Sequence, residues 1–181
     1  MKFTATDELN NFDYHDATII AMYWHDGNFV WRVDAINATT ENSQNSHPKH
    51  MCINDAEIIF KDARVESIVF NAYKSSYTSS AGVEVITESV DAKVAAPEEF
   101  DEIIKKTTDS SNYIFCMYYD KYVKTADGRF FTSFDIGGSD DGMGYVITVS
   151  FSQAAVSWDE FHGEAWYEHP KWKAQAKVAA E

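Results

Sequence analysis

The residues that could do chemistry in this chain are a few histidines and carboxylates near its two ends. His15 and Asp16 are neighbours in the sequence, and His162 lies close to the C-terminus. An imidazole oriented by a carboxylate is a common way to build a metal site or a general base. Such chemistry needs further converging groups, and this pair stands just before a predicted strand. We therefore predict no metal and no cofactor, and keep a metal-dependent hydrolase or small-ligand-binding domain that uses these three residues as the alternative.

Two other groups have poorer spacing for a metal ion. His47 and His50 are three residues apart in a polar stretch, with only Pro48 and Lys49 between them, and two histidines alone make a poor metal site. Asp135, together with Ser139, Asp140 and Asp141, could offer oxygens to calcium, but the spacing of these residues does not follow the twelve-residue pattern of a calcium-binding loop. Neither group predicts a metal site.

The common enzyme signatures are absent from the sequence. There is no Gly-x-Ser-x-Gly elbow, no phosphate loop ending in Gly-Lys-Ser/Thr and no Gly-x-Gly-x-x-Gly after a strand. Cys52 and Cys116 lie in apolar runs without metal-ligand spacing, which is typical of buried free thiols. We expect a protein that binds and does not catalyse.

The charge and the aromatic content indicate the kind of partner. The 181 residues carry a net charge of −14, and 15% of them are aromatic. Nucleic acids and anionic membranes are bound by clustered Lys and Arg, so both are disfavoured as partners. Aromatic side chains surrounded by carboxylates suit a basic protein. The residues that we expect to contact it are Asp140, Asp141, Glu160, Glu164, Trp166 and Tyr167.

The sequence also bears on where the protein resides. No apolar run approaches the length that crosses a bilayer, and the opening MKFTATDELNNF lacks the apolar stretch of a secretion signal. We expect a cytoplasmic protein, and the sequence leaves open whether it is a monomer or a homodimer.

The elements that would position these residues are mainly strands. Residues 12–36 predict a β-hairpin with its turn at residues 25–28, because Asp-Gly suits a tight turn and both flanks are rich in β-branched and aromatic residues. Pro97 and the acidic residues after it predict a helix that buries Phe100, Ile103, Ile104 and Thr107. Residues 37–50 and 71–82 read as exposed polar loops, with a short strand following at 83–86. Pro170 predicts a terminal helix.

The second half of the sequence echoes the first. Asp127-Gly128 repeats the turn chemistry of Asp26-Gly27, and residues 151–156 align with residues 60–65. The two alignments differ in offset by about ten residues, which falls where a long loop faces a shorter one, and loops tolerate insertions. An internal duplication with halves 12–86 and 112–168 is one interpretation. Coincidence between two similar hairpins is the other.

We predict a single α+β domain over residues 1–181. Clean alternation along the hairpins favours an antiparallel sheet of about seven to nine strands, either a sandwich or curled half-barrels, with one central and one C-terminal helix. No regular alternation of strand and helix indicates a parallel sheet.

Two stretches resemble known bacterial sequences. The opening Phe12-x-x-His15-Asp16-Ala17-x-Ile19, with its hairpin and a later Ile-Ile-Phe strand, resembles small bacterial domains of unknown function, some of which are grouped with immunity proteins of polymorphic toxin systems. The closing Trp158-Asp159-Glu160-Phe161-x-Gly163-x-Ala165-Trp166-Tyr167 resembles the tail of uncharacterised bacterial proteins of similar length. The resemblance covers about a third of the chain. It implies a cytoplasmic protein that neutralises a partner by binding and catalyses nothing.

Overall fold

The structure is a computed structural model that describes residues 1–15, 17–109, 114–118, 123–137 and 144–171. Within them the chain forms mostly antiparallel strands, as the sequence predicts, and one α-helix. The strands are β1 (Phe3–Thr6), β2 (Phe12–Asp13), β3 (Ala17–His25), β4 (Asn28–Asp34), β5 (Ile36–Ala38), β6 (Met51–Ile53), β7 (Ala56–Lys61), β8 (Arg64–Phe70), β9 (Tyr73–Thr78), β10 (Glu84–Val90), β11 (Lys93–Val94), β12 (Ile114–Tyr118), β13 (Val123–Lys124), β14 (Phe130–Gly137), β15 (Tyr145–Phe151) and β16 (Gln153–Trp158).

Most of these strands belong to one large sheet. Its order is β1-β16-β7-β4-β3-β12-β14-β15-β8-β11, with β13 pairing to β14, and every pairing is antiparallel. A second sheet has the order β2-β5-β6, and a third consists of β9 and β10 alone. The described strands outnumber the seven to nine that we expected, because several are only two or three residues long.

The large sheet curls so that its two halves face each other. The ring of Trp31 on β4 lies 4.7 Å from that of Phe134 on β14, and Phe60 on β7 lies 5.2 Å from Phe151 on β15. Along the sheet, β4 and β14 are separated by two strands at about 4.8 Å per step, so flat strands could not bring these rings together. The core therefore lies between two layers of one folded sheet.

The opening hairpin is confirmed. Asp26 and Gly27 both have positive φ, 48° and 75°, which is the geometry of the tight turn that joins β3 to β4. Phe29, Trp31 and Val33 alternate along β4 and are all buried, so one face of the hairpin covers the core as the pattern predicts.

The large sheet has the same strand arrangement on both sides of its middle. From the middle outward, one side has β3, β4 and β7 from the first half of the chain, followed by β16 from the second half. The other side has β12, β14 and β15 from the second half, followed by β8 from the first half. The two crossing corners touch, because the Ser152 hydroxyl donates to the Asp62 carboxylate at 2.7 Å. Segments 60–65 and 151–156, aligned from the sequence, occupy these corresponding corners. Common ancestry of the halves stays a prediction.

The central helix begins where Pro97 indicates. A 3-10 turn, Pro97–Glu99, leads into α1 (Phe100–Asp109), and Ile104 and Thr107 face the core. At its C-terminal end the Thr108 hydroxyl bonds both the N–H and the C=O of Met22 at 2.9 Å, so α1 is fixed against β3. The terminal helix expected after Pro170 falls almost entirely outside the described residues. Within the described residues no helix has the length and apolar character needed to cross a membrane.

The interpretation of residues 37–50 as an exposed loop is confirmed in part, because residues 39–50 form no helix or strand and six of them are exposed. The remainder differs from the prediction. Asn37 and Ala38 belong to β5, and Asn42 and Asn45 are buried although they are polar. The Asn45 amide nitrogen lies 2.9–3.1 Å from the carbonyl oxygens of residues 38, 39 and 49. Asparagine side chains thus supply the hydrogen bonds that a regular strand would have provided.

The polar stretch 71–82 is also not simply a loop. Its residues 73–78 form β9, which pairs antiparallel with β10 across a turn that contains Gly82 with a φ of 76°. Ser, Thr and Tyr are compatible with a strand that is exposed to water on both faces, so the low hydrophobicity of this stretch did not exclude a strand.

The chain leaves the large sheet for the β2-β5-β6 sheet through a strained residue. Ala35, between β4 and β5, has a φ of 58°, where a Cβ atom is unfavourable. We expect Ala35→Gly to raise the free energy of unfolding by about 0.5 kcal/mol, because relief of the strain exceeds the entropy that glycine loses on folding. The matched Ala21→Gly in β3 should lower it by about 1 kcal/mol. Urea denaturation of both variants measures the difference, and a loss of stability in Ala35→Gly would contradict the strain.

Candidate binding surface

The C-terminal segment, residues 159–168, lies alongside β6. The Cys52 N–H donates to the Gly163 carbonyl, the His162 N–H donates to the Cys52 carbonyl and the Ala165 N–H donates to the His50 carbonyl, each at 2.9 Å. The segment therefore extends the β2-β5-β6 sheet by one irregular chain. These backbone bonds fix the side chains that the sequence singles out for partner binding.

Two of those side chains point to solvent. Trp166 is 49% exposed, and its ring meets the Tyr167 ring edge-on with 5.6 Å between centroids. The Glu160 side chain is 76% exposed, with its carboxylate 3.8 Å from Nε2 of His162. An exposed indole with a carboxylate on the same short segment is a typical composition for a protein-binding surface.

Glu164 and Tyr167 are engaged inside the protein. The Lys49 Nζ atom lies 2.6 Å from both carboxylate oxygens of Glu164, so this acid is largely neutralised by its own chain. Tyr167 is half-buried and contacts His50 and Asp13. Asp140 and Asp141, the other two expected contact residues, lie outside the described residues.

Tyr167 is the centre of a hydrogen-bonded group. Burial raises the pKa of Tyr167 above its ordinary value, and the hydrogen bond from its hydroxyl to the Asp13 carboxylate raises it further. Nδ1 of His50 lies 3.0 Å from the Tyr167 oxygen. Tyr167 therefore links Asp13 to His50, and the tautomer of the His50 ring sets which atom donates in the second of these bonds.

Asp13 also joins the start of the chain to this group. Its carboxylate accepts the His15 N–H at 2.9 Å. Across the β2-β5-β6 sheet, Asp13 pairs with Asn37 and Asn37 pairs with Cys52, so the three side chains lie in a row on one face. The two stretches that carried the family resemblance, one at each end of the chain, therefore meet around Asp13.

Cys52 is half-buried and reduced. Burial raises the pKa of its thiol, and the nearby Asp34 carboxylate raises it as well. A protonated thiol is a poor nucleophile and a poor metal ligand. The prediction of a free thiol is thus confirmed for Cys52, although it is less buried than expected. The Cys116 side chain lies outside what the structure describes.

Two residues of the alternative metal site lie within the described part of the chain. Nε2 of His162 lies 3.8 Å from the Glu160 carboxylate, and the His15 N–H donates to the Asp13 carboxylate at 2.9 Å. Asp16 lies outside the described residues. Within the part of the chain that the structure describes, no group of three or more His, Cys, Asp or Glu side chains could hold a metal ion.

A separate cleft of about 310 Å³ opens where α1 meets the base of the β9-β10 hairpin. Its two lysines are paired within the protein, Lys93 with Glu99 at 3.4 Å and Lys106 with Glu102 at 2.8 Å. The lining is therefore mixed in charge and has no uncompensated lysine. The residues around the cleft are Phe70, Val90, Asp91, Lys93, Glu99, Glu102, Ile103 and Lys106.

The Tyr167 group should be visible in alkaline denaturation. An unfolded tyrosine ionises near pH 10, whereas the folded state keeps Tyr167 neutral, so its contribution to stability is complete below pH 10 and is lost as the pH rises above that value. We expect the stability of the wild type to fall more steeply above pH 10 than that of Tyr167→Phe. The difference should be at most about 1.4 kcal/mol per pH unit, reduced by solvent screening of this half-buried ring.

Urea midpoints at pH 9, 10 and 11 measure this slope. Tyr167→Phe should also cost about 1 kcal/mol at pH 7, because Asp13 loses a donor. Parallel curves for the two proteins above pH 10 would contradict the raised pKa.

The comparisons with known proteins give no relative. No protein-family model, no curated protein and no solved structure matches this chain.

Proposed function

We propose that this protein is a non-catalytic binding protein, of the kind that immunity proteins represent, and that it binds a basic protein through the C-terminal segment 159–168. The observation that carries the proposal is that the half-exposed Trp166 and the exposed carboxylate of Glu160 lie on one segment that is held by backbone hydrogen bonds to β6. A rigid exposed aromatic loses little entropy on binding and supplies large contact area.

The expected contact residues have different roles in the proposed surface. Trp166 is the anchor and Glu160 steers a basic partner, whereas Glu164 contributes less because Lys49 already neutralises it. Tyr167 acts indirectly by holding the segment through Asp13 and His50. Asp140 and Asp141 remain part of the proposed surface on the strength of their charge and of the net charge of −14.

The titratable groups favour binding over catalysis. Burial raises the pKa values of Tyr23, Tyr167 and Cys52, and all three keep their protons at neutral pH. None of them is poised as a base or a nucleophile.

The test uses the products of the neighbouring genes as candidate partners, since immunity proteins and their targets are encoded together. Each product is purified and titrated against the full chain by biolayer interferometry. With a binding product, we expect Trp166→Ala to weaken the dissociation constant by about 30-fold, corresponding to about 2 kcal/mol. Trp24 lies on the exposed part of β3 and is 42% exposed, so Trp24→Ala is the matched control. It should change the dissociation constant by less than about threefold.

Charge reversal tests the steering separately. Glu160→Lys should lower the association rate constant about threefold or more at 50 mM NaCl, and Glu98→Lys at the start of the helical region should not. The proposal fails if no neighbouring product binds, or if Trp24→Ala weakens binding as much as Trp166→Ala.

A further inference from the structure

The β9-β10 hairpin is an arm that stands apart from the two other sheets. Its strands pair with each other and, within the described residues, with no other strand. Ten of the thirteen residues in the two strands are exposed, including Tyr77 at 56% and Ile86 at 55%. A two-stranded hairpin without further strands is at best marginally stable in water. The arm therefore gains order if another strand is added.

The two edges of the arm differ in how well they are protected. β10 carries Glu84 and Glu88, and a register shift between Ile86 and Glu88 disturbs its pairing. Charges and bulges of this kind discourage the addition of strands. β9, with the sequence YKSSYT, has no bulge, no proline and no acid, and its one charge, Lys74, is bonded to Glu84 at 3.3 Å across the hairpin. β9 is the open edge.

The hydrogen-bond register identifies which backbone groups face outward. The Ser79 N–H donates to the Val83 carbonyl at 2.8 Å at the turn, so Tyr77 pairs inward with Val85. Alternate residues of a strand direct their N–H and C=O groups to opposite sides. The outward groups of β9 therefore belong to Lys74, Ser76 and Thr78.

The sequence of β9 is self-complementary in the antiparallel direction. In a two-fold arrangement centred on Ser76, the two Ser76 residues pair with each other and Lys74 pairs with Thr78 of the second copy. No like charges then lie opposite one another, and all three outward residues of each strand find partners. The two hairpins together form a four-stranded sheet in the order β10-β9-β9-β10.

We propose that β9 is a homodimerisation edge, and that its occupant is β9 of a second copy of this chain. The register favours a second copy over a different partner at this edge: β9 has no acid to select a basic segment, and each of its outward residues lies opposite a residue of unlike or no charge in a second β9. Repulsion between the two copies is weak, because the six residues of β9 separate the acidic parts that lie outside the arms by about 20 Å. This distance exceeds the Debye length of roughly 8 Å at 0.15 M salt.

This arrangement has a distinctive salt dependence. Screening reduces repulsion between the acidic bodies while leaving the backbone hydrogen bonds in place, so the dimer should tighten as NaCl rises from 50 to 500 mM. Binding of a basic partner at the C-terminal segment should weaken over the same range. The dimer and the proposed function are therefore tested independently.

The experiment uses light scattering coupled to size exclusion for the full chain, with matched proline variants. Ser76→Pro removes one outward N–H of β9 from each copy and should weaken the dimer about tenfold or more, while Ser89→Pro removes an outward N–H of β10 and should leave it within about twofold. Because the arm lies outside the core, an unchanged thermal midpoint in both variants verifies that the body remains folded.

Cysteine variants test the register itself. Facing Cα atoms in a hydrogen-bonded antiparallel pair are about 5.5 Å apart, within the range that a disulfide spans. Ser76→Cys should form a covalent dimer on oxidation, and neither Ser89→Cys nor the wild type, with its own two cysteines, should do so. A wild type that stays monomeric at every salt concentration, together with unlinked Ser76→Cys, overturns the proposal and leaves this edge for a strand of another protein.

Discussion

Trp31→Ala is expected to lower the free energy of unfolding by about 3–5 kcal/mol, the range for deleting a large buried aromatic. The Trp31 side chain is fully buried and makes ring contacts with Phe29, Phe60 and Phe134, at centroid distances of 5.6, 5.5 and 4.7 Å. Phe134 belongs to the opposite layer of the curled sheet. Removing the indole therefore opens a cavity at the contact between the layers, where neither can move inward without disturbing its own strands.

Two comparisons make this result specific. Trp24→Ala deletes the same side chain from a half-exposed position where the ring stacks on Phe29 at 4.7 Å, and should cost no more than about 1.5 kcal/mol. Trp31→Phe should cost less than Trp31→Ala, because the buried Trp31 N–H has no acceptor among the described residues and phenylalanine removes it. Urea denaturation followed by far-UV circular dichroism measures all three. Equal losses for Trp31→Ala and Trp24→Ala would mean that the layers do not meet at Trp31.

Asn45→Asp is expected to destabilise the protein by about 3 kcal/mol or more, although the two side chains have the same shape. The Asn45 amide nitrogen faces three carbonyl oxygens within 3.1 Å, and its oxygen accepts the His47 N–H at 3.0 Å. A carboxylate would place a negatively charged acceptor against three acceptors at a buried position. The loop that carries Lys49 and His50 to the C-terminal segment depends on these bonds.

The pH dependence of this variant distinguishes charge from packing. Repulsion from the carbonyls raises the pKa of the introduced carboxyl, so its penalty is complete at pH 7 and should shrink as the pH falls toward 4, where the protonated acid can donate again. Asn45→Ala should cost about 1–3 kcal/mol without this recovery. Ser80→Asp, at an exposed position in the turn between β9 and β10, adds the same charge and should change stability by less than about 0.5 kcal/mol. A loss in Asn45→Asp that is constant between pH 4 and pH 7 would contradict the role of the amide.

The features that the sequence predicted are those governed by local rules. The Asp26-Gly27 turn requires two positive φ values, and the acidic start of α1 follows Pro97, so both could be placed from neighbouring residues alone. β9 and the Asn45 loop were missed because their residues are polar. The Asn45 loop is ordered by side-chain hydrogen bonds to backbone carbonyls, and β9 is ordered by its pairing with β10. The hydrophobicity of the sequence indicates neither interaction.

The candidate surface was predicted only in part, for a related reason. Trp166 and Glu160 are exposed, as a binding surface requires, whereas their cluster of aromatic and acidic residues was equally compatible with a segment that caps the core. The Tyr167 group joins Asp13 and His50 across the β2-β5-β6 sheet, and no spacing along the chain indicates that these three residues meet. The spacing Asp13-x-His15 at the start of the chain indicates only the local bond from the His15 N–H to the Asp13 carboxylate.

The exchange of β8 and β16 between the two layers has a consequence for biosynthesis. Each layer is completed by a strand from the other half of the chain. In addition, β1 pairs with β16, so β1 cannot pair until β16 has been synthesised. Neither half emerging from a ribosome has the partners that its outermost strands require, and such long-range pairing slows folding. The nascent chain must keep its apolar strand edges unpaired until residues 145–158 have left the exit tunnel. Protection during translation is therefore as much a requirement of this architecture as the packing of its core.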